Sequence, residues 1–307
     1  MRAGILAAFQ QWNLQNVKPS LGLISYDDRY DPDACNATMH HLILVDQVFA
    51  IVGNVGTPTS KVALPIAVQH GLPFVGAFTG ASFLREPFQR YVLNYRASYA
   101  DEAGSMIETA VEHFYFSKIS IFYQDDSFGL NGLQGAEAAL RDRRLKIHSR
   151  GTYPRGTVDV EAGLARMAEE SDDPEFVILV GTARPVAKFV KAAKKIWSRT
   201  FFCAVSFVGS AQLAAELGSA ANRRNVYVTQ VVESPNNTAM PLVSDYQQAL
   251  LQSDASAMPD FTSLEGYIVG RFLAKTMSDL WRTIPGLNLS NISNFSGLRE
   301  GLLLDCS

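Results

Sequence analysis

Short apolar runs alternate with segments of helical periodicity along almost the whole chain, and this alternation fixes the fold class. Ile5, Phe9 and Trp12 open the chain at helical spacing. A β run over 21–26, a helix over 33–46 behind Pro32, and strands over 48–52, 72–75 and 91–95 follow, with a helix over 59–70 closed by Gly71. Met106, Ile107, Ala110, Val111 and Phe114 mark one face of the next helix. The plan then repeats. Strands are expected over 118–123, 145–150, 176–180, 201–205 and 225–231, and helices over 130–143, 158–169, 186–197, 242–251 and 264–281. Apolar strands separated by helices imply parallel sheets covered on both faces. Two such series imply an α/β protein of two doubly wound parallel-sheet lobes. In open α/β sheets ligands sit beyond the carboxyl ends of the strands, so the post-strand loops carry the functional argument.

The length of 307 residues exceeds what one core usually organises. A net charge of −3 gives no electrostatic case for nucleic acid or an anionic membrane surface. No window approaches the ~20 apolar residues of a membrane span. The first residues are those of a core helix and not of a signal peptide. A chain that opens inside a helix is expected to lack a first strand, leaving a gap in the first lobe. Cys35, Cys203 and Cys306 form no metal-binding or redox spacing, and Cys203 reads as a buried strand thiol. Sequons at Asn36, Asn236, Asn288, Asn291 and Asn294 lean towards a secreted glycoprotein. No fold is assigned to residues 286–307.

Three post-strand loops stand out. Gly53-Asn54-Val55-Gly56-Thr57-Pro58-Thr59-Ser60 opens a helix, where glycines admit a ligand and free N–H groups hold a carboxylate. The plain alternative is a helix cap by Thr57 or Thr59. Gly76-Ala77-Phe78-Thr79-Gly80-Ala81 suits the wall of an apolar pocket, or a glycine turn with Phe78 in the core. In Tyr123-Gln124-Asp125-Asp126-Ser127-Phe128-Gly129 the paired acids read better as a turn and a helix cap than as catalytic groups. None of the five histidines falls in a post-strand loop, and no Gly-x-Ser-x-Gly elbow, phosphate loop or dinucleotide fingerprint is present. The sequence therefore calls for no cofactor, no metal and no catalysis.

These loops, with Tyr26-Asp27-Asp28-Arg29-Tyr30-Asp31-Pro32, Val180-Gly181-Thr182, Ser206-Phe207-Val208-Gly209-Ser210 and Ser263-Leu264-Glu265-Gly266-Tyr267, resemble the type I periplasmic solute-binding proteins. The branched-chain amino-acid transporter branch is the nearest, over residues 2 to 282. The resemblance implies a clamshell with lobe one at 1–97 plus 231–285 and lobe two at 98–230, closing on a small polar solute. Carried over residue by residue, Gly56 and Thr57 would hold the ligand carboxylate, and Phe78, Thr79 and Gly80 the adjacent lobe-one wall. Phe128 would lie over the ligand, and Thr182 and Ser206 would face it from lobe two. Amino-acid binders of the family carry an acid near position 206, so Ser206 puts a zwitterionic ligand in doubt and leaves a carboxylate or amide open. The implied partners are a membrane permease, or a covalently linked transmembrane, cyclase or kinase part of a receptor. The implied location is periplasmic or extracellular. The alternative is an α/β enzyme acting on a small molecule through Asp125, Asp126 and Thr57.

Overall fold

A computed structural model describes residues 1–15, 19–170 and 172–283. The tail 286–307, Cys306 and the sequons at Asn288, Asn291 and Asn294 lie outside the described residues. In chain order the first elements are α1 (Arg2–Leu14), α2 (Pro32–Leu44), β1 (Ile51–Val52), α3 (Thr57–Gln69), β2 (Phe74–Val75) and β3 (Val92–Leu93). There follow α4 (Tyr99–Glu108), continued by a π-helical turn, β4 (Ile119–Asp125), α5 (Ser127–Asp142), β5 (Arg150–Pro154), α6 (Glu161–Glu170), β6 (Phe176–Val180) and α7 (Ala183–Ala193). The last are β7 (Phe201–Ala204), α8 (Ser210–Leu217), α9 (Ala220–Arg223), β8 (Val226–Val228), α10 (Pro241–Ser253) and α11 (Phe261–Thr283).

The chain divides into two units. Unit one is Met1–Phe78, Phe83–Arg96 and Val232–Ser307; unit two is Thr79–Ser82 and Ala97–Val231. Unit two carries a five-stranded parallel sheet in the order β5-β4-β6-β7-β8. Its side chains alternate between two cores, as a strand period of two requires. Ile119, Ile121, Ile178, Val180 and Cys203 face one core with α4 and α5. Phe122, Val177, Leu179, Phe202 and Ala204 face the other with α6, α7 and α8. Phe122 stacks on Phe189 of α7 with ring centroids 3.8 Å apart. Both faces are buried, which is why β6 reads Phe-Val-Ile-Leu-Val without a polar residue.

Two expected strands are corrected. The strand expected over 145–150 lies at Arg150–Pro154, paired with Ile121–Asp125 of β4. Leu145 and Ile147 instead pack beneath the end of α5. β5 is a sheet edge, where a proline is tolerated. Leu21–Tyr26 joins no strand among the described residues and runs without turn or bend. Leu21 is held by the Asn13 side chain, which accepts from its N–H at 2.9 Å and donates to its carbonyl at 2.8 Å.

Unit one has a three-stranded parallel sheet, β1-β2-β3. Cys35, Met39, Ile51 and Leu64 build one core with α2 and α3, and Ile5, Phe9, Leu21 and Leu273 another with α1 and α11. A buried ion pair joins the segment after β3 to α11. Arg96 donates to both oxygens of Glu265, from Nε at 3.0 Å and from Nη2 at 3.1 Å. The two side chains are 2% and 3% exposed, and the guanidinium lies 4.2 Å from the Phe78 ring centroid. Removing one member of such a pair strands the other charge in the interior. Arg96→Met alone is expected to cost about 3–5 kcal/mol in urea unfolding, with Glu265→Leu similar and the double substitution close to wild type. Additive losses would show that the two groups are not coupled.

Candidate functional site

Each unit presents polar groups just past the carboxyl ends of its strands. In unit one the loop after β1 runs straight into α3. Gly56 is the N-cap, with φ 98°, and no side chain caps the helix. A side chain at position 56 would overlap the Tyr30 ring, so the position needs glycine for space as well as for backbone conformation. Thr59 does not cap; its hydroxyl donates to the Val55 carbonyl and to the Gly56 carbonyl. Thr57 begins the helix fully buried. Phe78 forms a β-bridge with Val55, and the Gly56 N–H donates to the Phe78 carbonyl at 3.2 Å. Gly56, Thr57 and Phe78 are thus brought together. The uncapped start of α3 is the positive end of its dipole.

Thr79 and Gly80, expected on the lobe-one wall, pack with unit two. The Thr79 hydroxyl donates to the Tyr99 hydroxyl at 3.3 Å, and the Tyr99 N–H donates to the Gly80 carbonyl at 2.8 Å. Phe128 is also committed to packing. It is fully buried in the core on Tyr99 and Phe207, with centroids 5.1 and 4.7 Å away. Asp126 is the N-cap of α5, accepting from the N–H groups of Phe128 and Gly129, and its other oxygen accepts from Gln124 Nε2 at 2.7 Å.

Strand order in unit two reverses between β4 and β6, the place where open α/β sheets hold ligands. A hydrogen-bond chain occupies that point. The Thr182 N–H donates to the Tyr153 hydroxyl, which donates to Gln124 Oε1, both at 3.1 Å. Tyr153 is 1% exposed, and burial pushes its phenol up to about 12. Thr182 is partly exposed at the start of α7.

Ser206, past β7, has a partner that the sequence did not disclose. Its N–H and hydroxyl donate to the two oxygens of Glu102 at 2.7 and 3.0 Å, and the Thr229 hydroxyl donates to the same carboxylate. Glu102 stands in the first turn of α4, and it is 3% exposed. No ion pair joins it to a basic group among the described residues. Burial, and then the nearby Glu102 carboxylate, push the Cys203 thiol up to about 12. A carboxylate therefore does stand beside Ser206, carried by the first turn of α4. Glu102, Thr229, Tyr153 and Gln124 were missed. The only available signal was Ser98-x-x-Asp101, a capping box that sets Glu102 in a first helical turn.

The chain belongs to the periplasmic binding protein family, whose model matches residues 1–283. Among solved structures it is similar to a possible leucine/isoleucine/valine-binding protein from Rhodopirellula baltica, with 39% identity and a TM-score of 0.87, over 98% of this chain and 79% of that one. It also shares the fold of the branched-chain amino-acid transporter substrate-binding protein LivJ from Streptococcus pneumoniae in complex with isoleucine (14%, TM-score 0.76, 98% and 81%). A solute-binding protein from R. palustris in complex with benzoate is a third (13%, 0.76, 97% and 80%). No curated protein matches the sequence. These relatives confirm the type I periplasmic-binding-protein fold. No helix among the described residues is long and apolar enough to cross a membrane.

The Glu102 cluster yields a stability prediction. Ser206→Ala removes a hydrogen bond to a charged group and is expected to cost about 1.5–3 kcal/mol. Ser206→Glu forces a second buried carboxylate against the first and is expected to cost more, about 3–5 kcal/mol. Urea melts of the two variants at neutral pH decide it; a Ser206→Glu variant as stable as wild type would remove Glu102 from this account.

Proposed function

We propose that this chain binds a small, amino-acid-like carboxylate and releases it unchanged. The observation that carries the reading is the 39% identity, over 98% of the chain, to a protein described as a possible leucine/isoleucine/valine-binding protein. Two features support it. The uncapped α3 start at Gly56 and Thr57 suits a carboxylate. The buried Glu102 carboxylate, oriented by Ser206 and Thr229, suits a ligand donor such as an ammonium or amide. Phe78, Thr79, Gly80 and Thr182 remain proposed contacts. Phe128 acts through its packing on Tyr99, whose hydroxyl accepts from Thr79.

The protein works outside the cytoplasm, delivering solute to an ABC-type permease or reporting it as a receptor ectodomain. It performs no chemistry. The enzyme alternative loses support because Asp126, one of its two acids, is engaged as a helix cap.

The test is thermal melting and calorimetry with leucine, isoleucine, valine, their amides and benzoate. At a hundred times Kd a true ligand adds about 2.7 kcal/mol of stability, a clear rise in Tm. Thr57→Val is expected to weaken binding by about 1 kcal/mol. A panel without any shift, or a compound recovered chemically altered, would refute the reading.

A further inference from the structure

In unit two, where β5 begins and α5 ends, lies a pocket of about 430 Å³. Arg141, Arg144, Lys146 and Arg150 line it with a single acid, Glu137, and Leu145 and Ile147 supply its apolar part. Cations thus outnumber acids four to one in this concavity, in a chain whose net charge is −3.

The local structure gathers these charges. Glu137 and Arg141 stand four residues apart on α5 and so share one face of the helix. Beyond the helix the chain turns back. Arg144 takes the left-handed conformation, φ 60°, and the Leu145 N–H donates to the Leu140 carbonyl at 2.9 Å. Leu145 and Ile147 pack on the core beneath α5, and Lys146 between them is exposed. The His148 N–H then donates to the Ile119 carbonyl at 2.8 Å, which leads the chain into β5, whose first residue is Arg150.

Cations at the end of a helix ordinarily offset its dipole. That role fits Arg141, in the last turn, but not Lys146 and Arg150, which lie beyond α5. The last carbonyls do not need them either. Leu140 accepts from the N–H groups of Arg143 and Leu145, and Arg141 accepts from that of Arg144. Arg150 faces Glu137 at 3.5 Å. Among the described residues no ion pair engages Arg141, Arg144 or Lys146. The backbone at position 144 favours glycine, yet a long cation stands there. Three such charges around one concavity repel one another unless an anion lies among them.

We propose that this pocket binds a phosphate ester, its dianionic oxygens held by Arg141, Arg144 and Lys146 and its organic group resting on Leu145 and Ile147. Two guanidinium forks match paired phosphate oxygens, and an ammonium adds a point charge. A single carboxylate carries too little charge to offset three cations. A soluble phosphate monoester and a phospholipid headgroup share this chemistry. The pocket uses none of the residues proposed to contact solute, so its test stands apart from that of the binding function.

The first arm of the test is calorimetry with phenyl phosphate at low ionic strength, where screening is weak. The second is co-sedimentation with phosphatidylcholine vesicles containing phosphatidic acid. Saturable binding is expected, weakened about fivefold or more by each of Arg141→Gln, Arg144→Gly and Lys146→Gln. Arg144→Gly also gives the left-handed position the residue it favours, so Tm stays level or rises while binding falls, which separates loss of the site from loss of the fold. Glu137→Gln removes the one acid of the lining and is expected to tighten binding about twofold or more. Lys195→Gln, at an exposed cation outside the pocket, changes nothing. Binding to vesicles alone, with the same pattern among the variants, upholds the pocket and assigns the headgroup as its ligand. Absence of binding in both arms overturns the proposal. So does binding that the pocket variants leave unchanged, or that Lys195→Gln weakens as much as they do.

Discussion

A parallel sheet buried on both faces leaves polar groups almost nowhere to go. In unit two, β4, β6 and β7 send alternate side chains into two apolar cores, and only the strand ends escape. Every polar network near the candidate site follows from this. Gln124, Tyr153 and Thr182 meet where β4 and β6 end, and Ser206 and Thr229 meet where β7 and β8 end. The helices then choose which charge joins them. The capping box of Ser98 and Asp101 fixes the start of α4, and the turn it creates carries Glu102 to Ser206. Unit one, with less sheet, relies on one deep ion pair, Arg96 with Glu265, to tie the segment after β3 to its longest helix.

The Glu102 carboxylate alters how the Ser206 position is understood. From the sequence, a serine in place of an acid argues against ligands with an ammonium group. In the structure the serine's N–H and hydroxyl are both spent on orienting an acid from elsewhere in the chain. The carboxylate beside Ser206 is carried by a helix and not by the loop itself. A helix-borne group with three donors around it is held more tightly than a loop side chain, as pre-organised recognition requires.

Local patterns carried most of the fold. The unbroken apolar run Phe176–Val180 and the helical stripes around it place β6, α5 and α7 within a few residues. Where the pattern misled, a competing physical demand explains it. Leu145 and Ile147 are apolar because they plug the end of α5, and the true strand beside them is an edge that tolerates Arg150 and Pro154. Leu21–Tyr26 has a strand's composition but pairs with no strand among the described residues. The site was legible as a set of loops and not as a set of partners. Glu102 lies 104 positions from Ser206 and 127 from Thr229, and nothing local announces such a meeting. Phe128 looked like a pocket residue because it follows a strand loop, yet it is the first apolar residue of a helix and turns inward.

The two-faced alternation of β6 also shapes how this protein can diversify. Substituting one apolar residue of Phe176–Val180 for another costs a cavity or a little crowding. Deleting one is a different event, because every residue beyond the cut exchanges its core for the opposite one. With Val177 deleted, Ile178 would enter the space that Val177 fills, in the core that holds Val186 and Phe189. The strands are therefore intolerant of changes in length, while the loops at their carboxyl ends are free to grow, shrink and change chemistry. A lineage built on this frame acquires new ligands by rewriting its loop tips, with the spacing of the strands held fixed as a ruler.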